Sequence, residues 1–195
     1  MHSKITGIIN PVLAGFSIGI AAVCFLRGGQ LIGAALFAFG LSTIVLSRWP
    51  LFTGAVGFSS DILQLAKIIS LNFVGAVLAS TFAMANPATV EAAHAIVDLR
   101  LSAGFGLCLL YSIGCGFIMT VAVKYARAGQ WIPLLLGIPT FIICGFPHCI
   151  ADIVYYAADG RYLEVIPCWI ASIIGNSIGG NMPTYTRFLK GEQQD

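Results

Sequence analysis

Apolar residues fill this chain in long blocks, and the few polar breaks between the blocks set its organisation. Blocks at 8–26, 31–46, 68–84, 101–123, 131–158 and 162–178 predict six membrane-spanning helices, since a span needs ~20 residues at 1.5 Å rise. In the first block Ala14, Gly15, Gly19 and Ala22 recur at three- and four-residue spacing, a face that lets helices approach closely in lipid. Two of the blocks are interrupted. Around 47–54 the run Ser47-Arg48-Trp49-Pro50 stops the second span, and a second half-helix is expected over 55–65, closed by Lys67. Around 144–152, Pro147 lacks a backbone N–H and disfavours the helical conformation for Phe146, so a helix stops there and His148 is expected to open the next one. Broken helices inside a bilayer are tolerated only where the freed backbone is buried in protein or lines a cavity.

The longest polar stretch, 86–100, reads as a loop that divides one transmembrane domain, 1–195, into a first repeat at 1–85 and a second at 101–190. Each half has three spans with the middle one broken, and three spans per half give the second half inverted topology. Paired interruptions of this kind point to a transport site near the midplane. Gly175, Gly179 and Gly180 are expected to end the sixth span. Lys4, Lys67, Lys124, Arg127, Arg187 and Lys190 fall on one side, against Arg27, Arg100 and Arg161 on the other. The positive-inside rule then places both termini in the cytoplasm of a multi-pass protein of the inner (plasma) membrane.

Composition agrees with an all-α integral membrane protein. Only 9% of residues are charged and the mean hydropathy is +0.91, where a soluble domain carries about a quarter charged residues. A net charge of +2 with no basic tract excludes nucleic acid as a partner. The six cysteines lie in apolar segments without metal-ligand spacing and read as small buried residues, so no metal or other cofactor is expected. The N-terminal stretch has the look of a signal peptide but runs on to Leu26 and is assigned as the first span.

His148, ionisable and set in a helix break, is the leading functional residue; the alternative is a buried histidine that only ties the break together. Asn72 is expected to make interhelical hydrogen bonds. His94 is expected on a solvated loop, His2 is terminal, and Trp49, Trp131 and Trp169 read as interface or packing aromatics. Three functions remain open on these residues: a channel or transporter, a membrane-embedded enzyme using His148, Asp152 and Thr53 or Ser59, and a channel for a neutral solute or gas.

Leu51-Phe52-Thr53, Asn72-Phe73-Val74-Gly75-Ala76, Gly145-Phe146-Pro147-His148-Cys149-Ile150-Ala151-Asp152 and Gly175-Asn176-Ser177-Ile178-Gly179-Gly180, in that order and spacing, resemble the formate/nitrite transporter family over nearly the whole chain. The resemblance implies an aquaporin-like fold of two inverted three-helix repeats, assembled as a homopentamer in membrane lipid. It also implies one pore per protomer for a small monovalent anion or its weak acid, formate first and then nitrite or hydrosulfide. It makes His148 the central pore histidine and Thr53 the threonine of the first break. Phe37, Leu41, Leu51, Phe52 and Phe141 would form apolar constrictions on either side. Arg100 falls near the family's lysine at the start of span four. Two positions depart from the pattern: Pro147 replaces a glutamate, and Asp152 replaces an asparagine. One helical turn from His148, Asp152 is expected to face the imidazole and partly cancel the positive potential offered to an anion. Being short for the family, the chain is expected to lack most of the N-terminal amphipathic segment that packs at the cytoplasmic mouth, which leaves gating there open. The expected mechanism has Arg100 drawing an anion to the outer mouth and His148, whose ordinary pKa is about 6.5, supplying a proton or hydrogen bond between the constrictions.

Overall fold

The computed structural model describes the backbone of residues 2–190 and the side chains of 5–185, and among these every regular element is helical. The side chains of Lys4, Arg187 and Lys190, used above for orientation, lie outside the described residues, as does that of His2. Helices α1 (His2–Gly28) and α2 (Ala34–Ser47) form an antiparallel hairpin joined by a π-type turn, Gly29–Gly33. Gly29 makes the reversal at φ +68°, a conformation only glycine adopts cheaply. Ser17 Oγ then donates to Gly40 O at 3.1 Å across the hairpin. After the first break come the single turn α3 (Phe52–Ala55), then α4 (Ile62–Met84) and α5 (Pro87–Arg127). Helix α6 (Ile132–Ile143) runs to the second break, followed by α7 (Asp152–Asp159) and α8 (Ile166–Lys190). The six spans are α1, α2 with α3, α4, α5, α6 with α7, and α8. The stretches 5–47, Ile62–Met84 and Pro87–Arg127 are long and apolar enough to cross a membrane.

Several boundaries differ from the sequence reading. The expected half-helix over 55–65 is only the turn α3, because Asp61 accepts from the Gln64 N–H at 3.0 Å and starts α4 at Ile62. Lys67 therefore lies inside α4. The polar stretch 86–100 is helix, not loop: Asn86 Oδ1 accepts from the Ala88 N–H at 3.0 Å, and Pro87 takes the first helical position, where its missing N–H costs nothing. The helix continues to Arg127 through a kink at Gly104 (φ +64°, ψ −177°). His94 is thus helical, and its Nδ1 lies 2.6 Å from Asp159 Oδ1. The same carboxylate accepts from Arg161 Nε at 2.9 Å and from a second guanidinium nitrogen at 2.7 Å.

The glycines at 175, 179 and 180 do not end α8; the first two bring it against α5. A Cβ on Gly179 would strike the carbonyl of Ile113, and one on Gly175 the carbonyl of Leu109. In the first half Gly75 of α4 stands in the same relation to Val12 O of α1, and Gly15 of α1 to the backbone of Asn72. These contacts are with backbone, which cannot swing aside as a side chain can. Gly75→Ala or Gly179→Ala should therefore separate the paired helices and cost about 1–3 kcal/mol or more, whereas Gly106→Ala, with open space at its Cβ, should be tolerated. Thermal unfolding in detergent checks the contrast, and equal melting points would refute it.

Candidate functional site

The two breaks are built alike. Helix α2 closes with Arg48 at φ 54°, and the N–H groups of Arg48 and Trp49 return to Val45 O (3.2 Å) and Ile44 O (3.0 Å). Helix α6 closes with Gly145 at φ +68°, and the N–H groups of Gly145 and Phe146 return to Ile142 O and Phe141 O, both at 2.9 Å. Both are Schellman closures with a left-handed residue just past the helix, and in both a proline two residues on, Pro50 or Pro147, prevents the helix from resuming. The difference is the left-handed residue: glycine in the second break, and in the first an arginine that pays about 1 kcal/mol for the same backbone.

Each break is fastened to the third helix of its own half by one buried asparagine. Asn72 Nδ2 donates to Pro11 O (2.7 Å) and Pro50 O (3.0 Å), and Asn72 Oδ1 accepts from the Phe52 N–H (2.8 Å). Asn176 Nδ2 donates to Ser112 O (2.9 Å) and Pro147 O (3.1 Å), and Asn176 Oδ1 accepts from the Cys149 N–H (2.9 Å). The interhelical role expected of Asn72 is what it performs. Pro50 O, Phe52 N–H, Pro147 O and Cys149 N–H, all freed by the breaks, are thereby satisfied without water.

His148 and Thr53 meet where the breaks converge. His148 Nε2 lies 3.0 Å from Thr53 Oγ1, and both residues are buried. His148 does not begin α7; it caps it. Its carbonyl accepts from the Asp152 N–H at 2.9 Å, and its Nδ1 accepts from the N–H groups of Ile150 (3.3 Å) and Ala151 (3.1 Å). Nδ1 is thus occupied as an acceptor. The neutral ring carries its proton on Nε2 and presents it to Thr53. Phe141 stands beside the ring with centroids 5.9 Å apart, and Phe37 meets Phe141 edge-on, also at 5.9 Å. Leu41, Leu51 and Phe52 are buried in the same core.

Arg100 and Asp152, expected to act on an anion and on the imidazole, act on each other. Arg100 Nε donates to Asp152 Oδ2 at 3.0 Å, and a second guanidinium nitrogen donates to Gly145 O at 2.6 Å. Tyr156 Oη also donates to Asp152 Oδ2, at 3.5 Å, and the His148 backbone N–H to Asp152 Oδ1 at the same distance. The carboxylate therefore engages the guanidinium and a backbone N–H of the break, with no contact to the ring nitrogens. The Arg100 carbonyl in turn accepts from Cys168 Sγ (3.2 Å) and Cys108 Sγ (3.4 Å). An open chamber of ≈ 210 Å³ lies at the other end, below the first break, and its walls include Leu41, Leu51 and Gly54. Leu41 and Leu51, two of the five residues expected at the constrictions, are thus part of its lining.

The sequence profile described as Formate/nitrite transporter matches residues 2–186. The chain belongs to the formate/nitrite transporter family. It is 28% identical to "Formate channel BtFdhC" of Bacillus thuringiensis, over 79% of this chain and 71% of that one. It is 25% identical to "Uncharacterized transporter YrhG" of Bacillus subtilis (strain 168), over 76% and 68%. Among solved structures it superposes on a "Pentameric formate channel with formate bound" with a TM-score of 0.83 at 18% identity, covering 97% of each chain. It also superposes on an "FNT family ion channel" with a TM-score of 0.81 at 14% identity, covering 98% of this chain and 92% of that one. The aquaporin-like fold is therefore that of the formate/nitrite transporters. Membership makes the chain a multi-pass membrane transport protein and not an enzyme.

Among these transporters' site elements in this chain, Asn176 escaped the sequence reading as a functional residue. The available signal was a carboxamide amid the apolar part of each third span, Asn72 within 68–84 and Asn176 within 162–178, since in hydrocarbon such a group must find partners.

Proposed function

We propose that the protein passes a small monovalent anion or its weak acid, formate first and nitrite or hydrosulfide next, through one pore per protomer of a homopentamer in the inner (plasma) membrane, both termini cytoplasmic. Residues 1–85 and 101–190 serve as inverted repeats that each contribute one broken span to the pore. The observation that carries this reading is the buried Thr53–His148 pair at the meeting of the two breaks, flanked by Phe37 and Phe141. The names of the Bacillus thuringiensis relative and of the superposed pentameric channel support the choice of formate and of assembly.

A bare carboxylate loses its water between apolar walls at prohibitive cost, and the Nε2–H of His148 is the donor that meets it there, displacing Thr53 Oγ1. Proton exchange asks more of the ring. Net transfer to the anion requires an imidazolium, which releases the Nε2 proton and is left neutral with its remaining proton on Nδ1, and to take that proton beforehand Nδ1 must let go of the Ile150 and Ala151 amides. Arg100, neutralised by Asp152, holds the loop that carries His148 by its bond to Gly145 O, a positioning role. Stopped-flow measurements on proteoliposomes, with formate, nitrite and hydrosulfide at two pH values, test the reading. Formate flux is expected well above that of protein-free vesicles and faster at the lower pH. Flux equal to that of empty vesicles for every anion would overturn it, and passage of non-titrating neutral solutes alone would favour a neutral-solute channel.

A further inference from the structure

The two mouths of the pore differ in charge. On the Arg100 side the cation is answered by Asp152 at 3.0 Å, and Arg161 by Asp98 and Asp159. On the opposite side Arg48 and Arg127 line the ≈ 210 Å³ chamber together with Leu51 and Leu41, and among the described residues neither arginine makes an ion pair. No acidic side chain contributes to the chamber wall. Asp61, nearby in sequence, caps α4 instead. The Arg127 guanidinium is held 5.3 Å from the centroid of the Phe58 ring, which steadies it without neutralising it. Arg48 occupies the left-handed position that the second break fills with Gly145. An arginine there works against the local backbone preference, and such an outlier calls for a functional reason.

We propose that Arg48 and Arg127 form an anion-capture site, with Ser59 and Gln64 as neutral polar neighbours, that concentrates a soluble monovalent oxyanion before it reaches Leu51. The site deepens the transport reading and rests on it for the direction of flow, though binding can be measured without transport. The occupant is a free anion because the chamber is small and is lined by Leu41 and Leu51, which the transport reading places at the pore constriction; an anionic lipid headgroup offers the same charge and is separated by the experiment.

Trp49 lines the chamber and reports on it. In a Trp131→Phe/Trp169→Phe background reconstituted in phosphatidylcholine, quenching by iodide, normalised to quenching by neutral acrylamide, should fall about tenfold in Arg48→Gly/Arg127→Gln. The loss should be shared by the single variants, and the difference should vanish at ~1 M salt, where the Debye length is ~3 Å. Arg48→Gly removes the charge while relieving the backbone, so it should melt no lower than the parent. The same variants in the otherwise intact protein should raise the half-saturating formate concentration by a similar factor in flux assays. Should the double Trp variant fail to fold, that flux readout decides. Unchanged iodide quenching and half-saturation overturn the capture site, as does an effect seen only when phosphatidylglycerol is present. Absence of flux in the unmodified protein, with the quenching difference intact, would overturn the transport reading and leave the capture site standing.

Discussion

His148→Asn is expected to slow formate flux by about a hundredfold, equivalent to ~2.7 kcal/mol, and to abolish its pH dependence, while leaving the fold in place. Asparagine suits the test because its Oδ1 can accept from the amides at 150 and 151 as Nδ1 does, so α7 keeps its cap. What disappears is the N–H aimed at Thr53. A charge-assisted hydrogen bond contributes about 1.5–3 kcal/mol, and here it acts where water has been stripped from the anion, so its loss falls on the barrier rather than on resting stability. Thr53→Val should follow in the same direction by a smaller factor, about three- to tenfold, since it removes only the hydroxyl that parks the imidazole proton between passages. Thr53→Ser should recover most of the rate. Flux and pH profile unchanged in His148→Asn, at a melting point within a degree or two of the parent, would mean that the imidazole is only a cap.

The sequence displayed the breaks and hid the clamps. Pro50 and Pro147 announce interruptions because a missing N–H is a local property, legible residue by residue. The asparagines that hold those interruptions lie 22 and 29 positions further along, and nothing local says which carbonyls they reach. The stretch 86–100 reads as a loop for a related reason: its polar residues suggest an open connection, yet Ala93 and Val97 are buried while the exposed His94 and Asp98 pair with Asp159 and Arg161, so it is a helical arm with one packed face. Glycines 175 and 179 carry two signals at once, helix termination and close approach. Only the position of α5 decides for the second. The pairing of Arg100 with Asp152 was equally out of reach, although each was recognisable as unusual, because mutual neutralisation depends on the kinked arm of α5 folding over the second break.

That pairing leads to the second large effect, on stability. Arg100→Met should strand the Asp152 carboxylate, whose side chain is 2% exposed, and lower stability by about 3–5 kcal/mol. Asp152→Leu should strand the guanidinium at a similar cost. The double variant Arg100→Met/Asp152→Leu should recover most of both, because no charge is then left without its partner. A residual deficit of about 1 kcal/mol is expected where Gly145 O has lost its donor. Asp152→Asn is the milder probe: the carboxamide oxygen can still accept from Arg100 Nε, and the arginine's charge is then no longer cancelled. If positioning and neutralisation are what the pair does, Asp152→Asn should remain folded and bind anions more tightly from the Arg100 side, with a lower half-saturating concentration. Thermal unfolding in detergent, read as a double-mutant cycle, measures the coupling. Additive losses in the cycle would show that Arg100 and Asp152 act independently, and would return Arg100 to the role of a cation free to meet the anion itself.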